Sequence, residues 1–298
     1  MRHFVLLCIG LFSLSAHAQL DSGQLPGNAD WYVHLDFEQM RTSKAAAPLF
    51  EKIEADALGE VREEVSEELG VVLDTEFTSF TVYGDTDGKA AAVLKGPIDE
   101  ERKSALIDAL ADYDAVTLEK TARGDVYRMD TDQIKDKDVN IKTSEVMMSL
   151  ARKNTIVVGT DQQYFDFALS DRRDVGRSLK IMAAPKAFVQ IGVNADALAR
   201  TEGGPWQSGL LRQTRELALV ISDNQGDVDL HLNMTANDPA TTDSIANVIR
   251  GLVGLQALSG DGNDSLRTLL SNLKIENDSR GLNVRLVVSP DDLMQATQ

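Results

Sequence analysis

The chain is poor in cysteine, in aromatic residues and in long apolar runs. It has one cysteine, Cys8, among 298 residues, and aromatic residues make up 5% of it. A single thiol cannot form an intramolecular disulfide, and a cysteine-ligated zinc site needs several thiolates. The apolar run Phe4–Leu14 is shorter than the roughly 20 residues that span a bilayer. These absences exclude a disulfide-stapled fold, and we expect no transmembrane segment in the mature chain.

A secretory signal peptide is predicted at residues 1–18. It has a basic Arg2, the apolar run that follows, and the Ala-x-Ala cleavage site Ala16-His17-Ala18. Cleavage is expected between Ala18 and Gln19, so Cys8 would leave with the signal. We therefore expect an exported protein, either periplasmic or fully secreted.

The chain also has a large excess of acidic residues. It carries 47 Asp and Glu against 30 Lys and Arg, for a net charge of −17 at pH 7. Such a charge repels nucleic acid, so no nucleic-acid partner is expected. An acidic surface can meet a basic partner or divalent cations, but solubility is the favoured explanation because net charge does not define a site.

One stretch, Phe77–Leu110, has the pattern of a strand, a tight turn, a second strand and an amphipathic helix. Asp87-Gly88 is a hairpin signal, because glycine accepts the positive φ that such a turn requires. A degraded copy of the pattern follows at Leu217–Leu252. The chain therefore has the appearance of an internal repeat.

The two halves can be aligned further. The equivalent positions are Val33 with Val189, Val82 with Val220, Asp85 with Asp223, Leu94 with Leu232, Arg123-Gly124 with Arg280-Gly281, and Arg128 with Arg285. Each half follows the order strand, helix, strand, strand, helix, strand. The predicted fold is α+β, with two tandem β-α-β-β-α-β (ferredoxin-like, or split βαβ) repeats, antiparallel sheets and helices on one face. The predicted boundaries are 19–139 for the first repeat, 140–184 for a connecting hairpin and helix, and 185–298 for the second repeat.

Alternation of residue types predicts which side of each strand is open to water. In the first strand, Val33 and Leu35 are expected inside while His34 faces outward. In the second half, Leu230 and Leu232 are expected inside while Asp229 and His231 face outward. The candidate ligand-facing residues on these open faces are His34, Arg128, His231 and Arg285. The arginines could pair with local acids or hold an anionic ligand.

No assembled catalytic or metal-binding motif accompanies these residues. The pattern Gly-x-Ser-x-Gly is absent, and no glycine-rich phosphate loop follows a strand. Two histidines outside the signal are too few for a zinc site, so no metal and no cofactor are predicted. The acidic turns at 84–88, 223–227 and 260–264 contain the hard oxygen donors that calcium prefers, but hairpins need the same residue types.

The leading functional hypothesis is a non-catalytic exported protein that binds an unknown protein or small molecule. The alternative is a periplasmic hydrolase with His231 or a carboxylate as its base, in a site between the two repeats. A calcium-stabilised structural protein is a third class. The sequence indicates no reaction and no oligomeric state.

Overall fold

The computed structural model describes residues 20, 22–53, 77–111, 115–131, 144–170, 179–182, 184–198, 213–258, 269–278 and 281–296. Several predicted features therefore lie outside the described residues. They are the signal peptide, the acidic turn at 260–264 and most of three further segments. For these segments the residue patterns predict a helix at Ser43–Leu69, a charged loop at Asp130–Lys142 and a polar boundary between the halves at Ser170–Ser178.

Among the described residues, twelve strands form one antiparallel sheet. Their bounds are β1 Trp31–Asp36, β2 Ser79–Gly84, β3 Ala90–Lys95, β4 Val116–Thr121, β5 Gly124–Asp130, β6 Glu145–Ser149, β7 Thr155–Gly159, β8 Ala187–Asn194, β9 Thr214–Asn224, β10 Asp227–Ala236, β11 Lys274–Asp278 and β12 Gly281–Val288. The spatial order is β11-β12-β10-β9-β8-β1-β2-β3-β7-β6-β5-β4. The antiparallel α+β class is confirmed.

The described helices flank this sheet. They are a short 3-10 helix at Ser22–Gln24, then α1 Phe37–Thr42, α2 Ala47–Ile53, α3 Glu100–Ala111, α4 Gln162–Leu169, α5 Ala195–Leu198, α6 Pro239–Leu258 and α7 Pro290–Ala296. Within the described part of the chain, none of the helices has the length and apolar character needed to cross a membrane.

Aspartates fix where several of these elements begin. Asp36 caps α1, since its carboxylate accepts the Gln39 amide at 2.9 Å. The sequence predicts Asp99 as the N-cap of the helix in the Phe77–Leu110 stretch, and its carboxylate accepts the Arg102 amide at 2.9 Å at the start of α3. The Asp85 carboxylate accepts the amides of both Asp87 and Lys89 across the β2–β3 turn. Gly88 has a φ of 86° there, so the predicted hairpin is confirmed.

The two faces of the sheet are distinguished by β1. We call the side that carries Tyr32 and His34 the His34 face, and the opposite side, with Val33 and Leu35, the Val33 face. Leu35 packs with residues of α1, α2 and α7, and α3 and α6 contribute Leu106 and Ile245 to two further clusters. On the His34 face, Tyr32 packs with Tyr164 and Phe165 of α4.

The prediction of helices on one face only is therefore wrong. The expected open side of β1 is also wrong, because His34 is 3% exposed and Asp36 2% exposed. The reason is that β1, a central strand between β2 and β8, is covered on both faces, by α4 on the His34 face and by α1 and α2 on the Val33 face. A strand covered on both faces has no wet side, so its polar residues satisfy one another instead of water.

The ferredoxin-like arrangement is not confirmed. The sheet is continuous through both halves, joined where β1 pairs with β8. In each half the first three strands lie side by side in chain order, as β1-β2-β3 and β8-β9-β10. The hairpin β6–β7, assigned by the sequence to the connection, is inserted between β3 and β5.

Candidate functional site

A cover lies over the His34 face of the first half. It consists of residues 22–30 and α4, whose Leu25 and Phe165 are fully buried. The Tyr164 hydroxyl donates to the Asn28 carbonyl at 3.0 Å, which ties the two parts together. The Tyr83 ring on β2 meets the Tyr164 ring edge-on, with centroids 6.0 Å apart. We call residues 22–30 and α4 the cover.

Residues 179–182 extend this coverage across the middle of the sheet. The Tyr32 hydroxyl donates to the Lys180 carbonyl at 3.1 Å, and the Gln190 side-chain amide donates to the Met182 carbonyl at 3.0 Å. Gln190 lies directly across from His34 in the β1–β8 register. The polar residues at the junction of the two halves are thus buried and engaged with backbone.

A cavity of about 270 Å³ lies between the cover and strands β2 and β3. We call it the Lys95 cavity. Its described lining residues are Leu20, Gly23, Gln24, Thr81, Tyr83, Val93, Lys95, Arg152, Phe167, Ala168 and Ser170. The described lining therefore contains a lysine and an arginine but no acidic residue, in a chain with 47 acidic residues.

Lys95 is the last residue of β3, where it faces the cavity and is half-buried. Its ammonium makes no hydrogen bond or ion pair with any residue that the structure describes. Burial, with the neighbouring Arg152 charge as a second cause, lowers the pKa of Lys95 below its ordinary value. Lys95 is thus a partly desolvated cation with no counter-charge from the described residues.

Arg152 has a partner at the end of the cover. Its Nη1 donates to the Ala168 carbonyl at 2.7 Å, in the last turn of α4. A cation at a helix C-terminus interacts favourably with the helix dipole. Arg152 therefore holds the cover in place while it also lines the cavity.

Thr81 connects the cavity to the buried histidine. Its Oγ1 and His34 Nδ1 are hydrogen-bonded at 2.8 Å. Thr81 lines the cavity, whereas His34 lies one strand further in. His34 is therefore connected to the cavity through the threonine hydroxyl.

The structure places the four sequence-predicted residues in three different surroundings. His34 is buried at the junction, which corrects its expected open position. His231 is half-buried beside Asn283, with Nε2 3.4 Å from Oδ1. Arg285 lies directly across from His231 in the β10–β12 register. Only this last pair is brought together.

The two predicted arginines are both engaged with acids. Arg128 bonds Glu119 at 2.6 Å, Glu145 at 2.8 Å and the Gln162 side chain at 2.7 Å. Arg285 bonds both carboxylate oxygens of Asp229, at distances of 2.5 to 3.2 Å. Of the two possibilities that the sequence left open, the structure shows pairing with local acids.

Lys95, Arg152 and Thr81 are not among the sequence-predicted residues. A signal for Lys95 was present in the strand Ala90–Lys95, because alternation places its side chain on the same side as Ala91 and Val93. A lysine on the apolar side of an otherwise uncharged strand indicates a special environment. Arg152 gave no such signal, since it lies in a turn.

The described acidic turns use their carboxylates to accept hydrogen bonds from the protein itself. Asp85 accepts amides within its turn. Asp223 accepts the Gly226 amide at 2.9 Å and the Ser43 hydroxyl at 2.7 Å. Across the described ranges, no three His, Cys, Asp or Glu side chains converge as a metal site would need.

No protein-family model matches the chain, and no curated protein sequence matches it. The chain is similar to three solved structures, crystal forms III, IV and I of TP0453. Their TM-scores are 0.48, 0.49 and 0.45, and their sequences are 11%, 9% and 10% identical to this one. The alignments cover 94% of this chain and 98%, 97% and 98% of theirs. Similarity at this level gives no functional assignment.

Proposed function

We propose that this is an exported, non-catalytic binding protein of the periplasm or cell envelope, and that its ligand site is the Lys95 cavity. The observation that supports it is the ammonium of Lys95, which no described residue pairs with, in a cavity whose described lining contains no acid. A desolvated charge without a partner costs stability. Such groups are concentrated at functional sites, where stability is exchanged for function.

The described lining of the cavity favours binding over reaction. Thr81 lies in the middle of β2, and its backbone belongs to the ladders with β1 and β3. Acyl transfer needs hydrogen-bond donors aimed at a developing oxyanion. Because Thr81 belongs to a strand that is paired on both sides, its backbone amide does not form such a set of donors. The cavity is therefore suited to hold a molecule, with Lys95 and Arg152 as its charged contacts.

A cavity-filling variant tests this proposal. Mature protein purified without added ligand is examined by native mass spectrometry, and by thermal shift against a small-metabolite library. We expect either a bound small molecule in the mass spectrum or a rise in melting temperature with some library members. Ala168→Leu should abolish whichever of these effects is observed. Ala168 is 4% exposed and lines the cavity. The control is Ala90→Leu, since Ala90 lies on the Val33 face. Identical behaviour of wild type and Ala168→Leu, or no bound or stabilising molecule, contradicts the proposal.

Export is tested separately. The full chain is produced in a bacterial host, the cells are fractionated, and the N-terminus of the recovered protein is sequenced. We expect protein outside the cytoplasm with Gln19 as its first residue. Cytoplasmic protein that retains Met1 contradicts this part of the proposal.

A hydrolase is the second candidate, and one observation favours it. Thr81 Oγ1 and His34 Nδ1 lie at 2.8 Å, which is the reach that an activated nucleophile and its base require. A screen with aryl esters and aryl phosphates distinguishes the two functions. Turnover that Thr81→Val abolishes would support the hydrolase. Absence of turnover in the wild type supports the binding protein.

We also infer that the sheet arose by duplication. The orders β1-β2-β3-β5-β4 and β8-β9-β10-β12-β11 are the same once the β6–β7 hairpin is set aside. The aligned glycines Gly124 and Gly281 both begin a strand with positive φ, at 111° and 155°. An experimental structure tests this inference, because one rotation should then superpose these two sets of strands.

A further inference from the structure

We infer that the Lys95 cavity takes a small organic anion, with its carboxylate or phosphate group held by Lys95 and Arg152 and its apolar body against the cover. This inference rests on the proposed binding function and names the ligand class. It is carried by three features of the described residues: where the cations are, what is missing around Lys95, and which apolar residues share the lining.

The first feature is the location of the two cations. Lys95 and Arg152 line one cavity and lie close enough for the Arg152 charge to act on Lys95. Two like charges that share a partly desolvated space repel each other. An anion between them removes this repulsion and supplies the counter-charge that the described lining lacks.

The second feature is the contrast with the other arginines on this side of the sheet. Arg128 contacts Glu119 and Glu145, and Arg285 contacts Asp229. Acids are abundant in this chain, and they neutralise these more peripheral cations. Lys95 stands inside the cavity without one among the described residues. A negatively charged molecule from outside is the group that completes this site.

The third feature is the chemical division of the lining. Arg152 offers a planar fork and Lys95 a compact ammonium, a combination that suits carboxylate or phosphate oxygens. The Thr81 hydroxyl lies in the same lining. Tyr83, Val93 and Phe167 form an apolar wall, which an inorganic ion would leave uncovered. The volume of about 270 Å³ is just below the range of roughly 300–1,000 Å³ that drug-sized ligands occupy.

The hydrogen bond from Arg152 to the Ala168 carbonyl preorganises the guanidinium. Because the Ala168 carbonyl takes Nη1, the guanidinium is held at the end of α4 before any ligand arrives. Preorganised donors lose less entropy on binding. Lys95, which has no described partner, supplies the positive charge that the anion neutralises.

Isothermal titration calorimetry with four probes tests this inference. The probes are benzoate, phenyl phosphate, the uncharged isostere benzamide, and inorganic phosphate. We expect benzoate or phenyl phosphate to bind at least roughly tenfold more tightly than benzamide, and more tightly than inorganic phosphate. The better of the two organic anions identifies the head group. Benzamide binding as tightly as both anions overturns the inference.

Variants show whether Lys95 carries the charge selectivity. Lys95→Met should weaken the better anion at least roughly tenfold and leave benzamide unchanged, whereas Lys95→Arg should retain most of the affinity. Lys89→Met is the matched control, because Lys89 is exposed at the tip of the same hairpin. Equal anion affinity in Lys95→Met and wild type overturns the inference.

A pH titration of the wild type gives a second readout that does not depend on how a variant folds. Binding of the better anion should weaken as the pH rises through the lowered pKa of Lys95, because only the ammonium attracts it. Affinity that stays constant through that range contradicts the inference. The outcomes also separate the two proposals. If benzamide binds as tightly as the anions and Ala168→Leu abolishes its binding, the binding function stands and the charge selectivity does not. If no probe binds, the result counts against both proposals.

Discussion

The His34 face differs between the two halves of the sheet. Over the first half it is covered by residues 22–30 and α4, and its tyrosines are buried. Over β10 and β12 the same face carries two side-chain pairs that bond across the neighbouring strands, Asn233 with Asn283 and Arg285 with Asp229. The second half satisfies its polar groups with neighbouring strands, whereas the first half encloses a cavity and leaves Lys95 without a described partner.

This difference teaches that the location of a charge matters more than its number. Arg285 is half exposed and forms an ion pair with Asp229, so it needs no ligand. Lys95 is partly buried and has no described acid. The first half is therefore the functional candidate. Its cover and Lys95 can be altered by substitution, and so can two contacts of the second half, the Arg285–Asp229 pair and the hydrogen bonds of Asp223.

The largest effect is expected from removal of the central ring of the cover. Tyr164 is 1% exposed and packs against Tyr83. Tyr164→Ala should lower the free energy of unfolding by about 3–5 kcal/mol, the usual range for a large buried ring. Urea denaturation measures it. Tyr164→Phe should cost about 1 kcal/mol, because only the hydrogen bond to Asn28 is lost. As a surface control, Leu118→Ala at an exposed edge-strand position should change the value by less than about 0.5 kcal/mol.

In the second half, a substitution of Arg285 breaks its bond to Asp229. Asp229 is 8% exposed, and Arg285 is its described partner. Arg285→Met should cost about 1.5–3 kcal/mol, since a mostly buried carboxylate loses a charged hydrogen bond. The double variant Asp229→Asn/Arg285→Met should recover part of the loss, because no unpaired charge remains. A double variant less stable than Arg285→Met contradicts the pairing account.

A smaller effect, with a pH signature, is expected at Asp223, which joins the β9–β10 turn to the α1–α2 corner. Burial alone would raise its pKa, but hydrogen bonds from Ser43, Gly226 and Ala45 lower it below the ordinary 3.8. A lowered pKa in the folded state means that the stabilisation is present above pH 3.8 and is lost as the pH falls through the folded-state value.

Asp223→Asn should therefore cost about 1 kcal/mol at pH 7, and its difference from the wild type should shrink as the pH falls below 3.8. Thermal unfolding between pH 2 and 7 measures this difference. A difference that stays constant over the whole range would show that the carboxylate charge plays no part.

The smallest change in the free energy of unfolding is expected at Lys95, where substitution should stabilise the protein, unlike the substitutions above. Burial disfavours the charged form, so Lys95→Met should raise the stability of ligand-free protein by roughly 0.5–1 kcal/mol at pH 7. Because the pKa of Lys95 is lowered in the folded state, the free energy of unfolding of the wild type should rise as the pH rises through that pKa toward 10.5, and its difference from Lys95→Met should disappear. Chemical denaturation at pH 7 and pH 10 measures it. A Lys95→Met protein less stable than wild type at pH 7 contradicts an uncompensated charge.

The sequence predicted most strands, and it predicted the Asp85–Gly88 turn and the Asp99 cap, because alternation and local hydrogen bonding are properties of short segments. It failed on the faces of β1. Alternation separates Val33 from His34, but it does not say what covers each side. That depends on residues 22–30, α4 and residues 179–182, which come from distant parts of the chain. The insertion of β6–β7 beside β3 is equally non-local.

For the site, the sequence indicated His34 and the arginines but not Lys95. His34 is involved through Thr81, a contact across two paired strands. Arg128 and Arg285 attracted notice as cations in an acidic chain, yet acids lie next to them in space. Lys95 differs because its cavity is built from the cover, and no local pattern shows that cover.

Crystals of the mature protein soaked in selenate, whose selenium gives an anomalous signal, show whether the Lys95 cavity holds an anion. Selenate is a tetrahedral oxyanion, so it probes the charge of the cavity apart from its apolar wall. We expect the strongest anomalous peak in the cavity, within hydrogen-bond distance of both Lys95 Nζ and the Arg152 guanidinium. Peaks at surface cations alone, with Lys95 paired to an acid of the chain itself, would contradict the account.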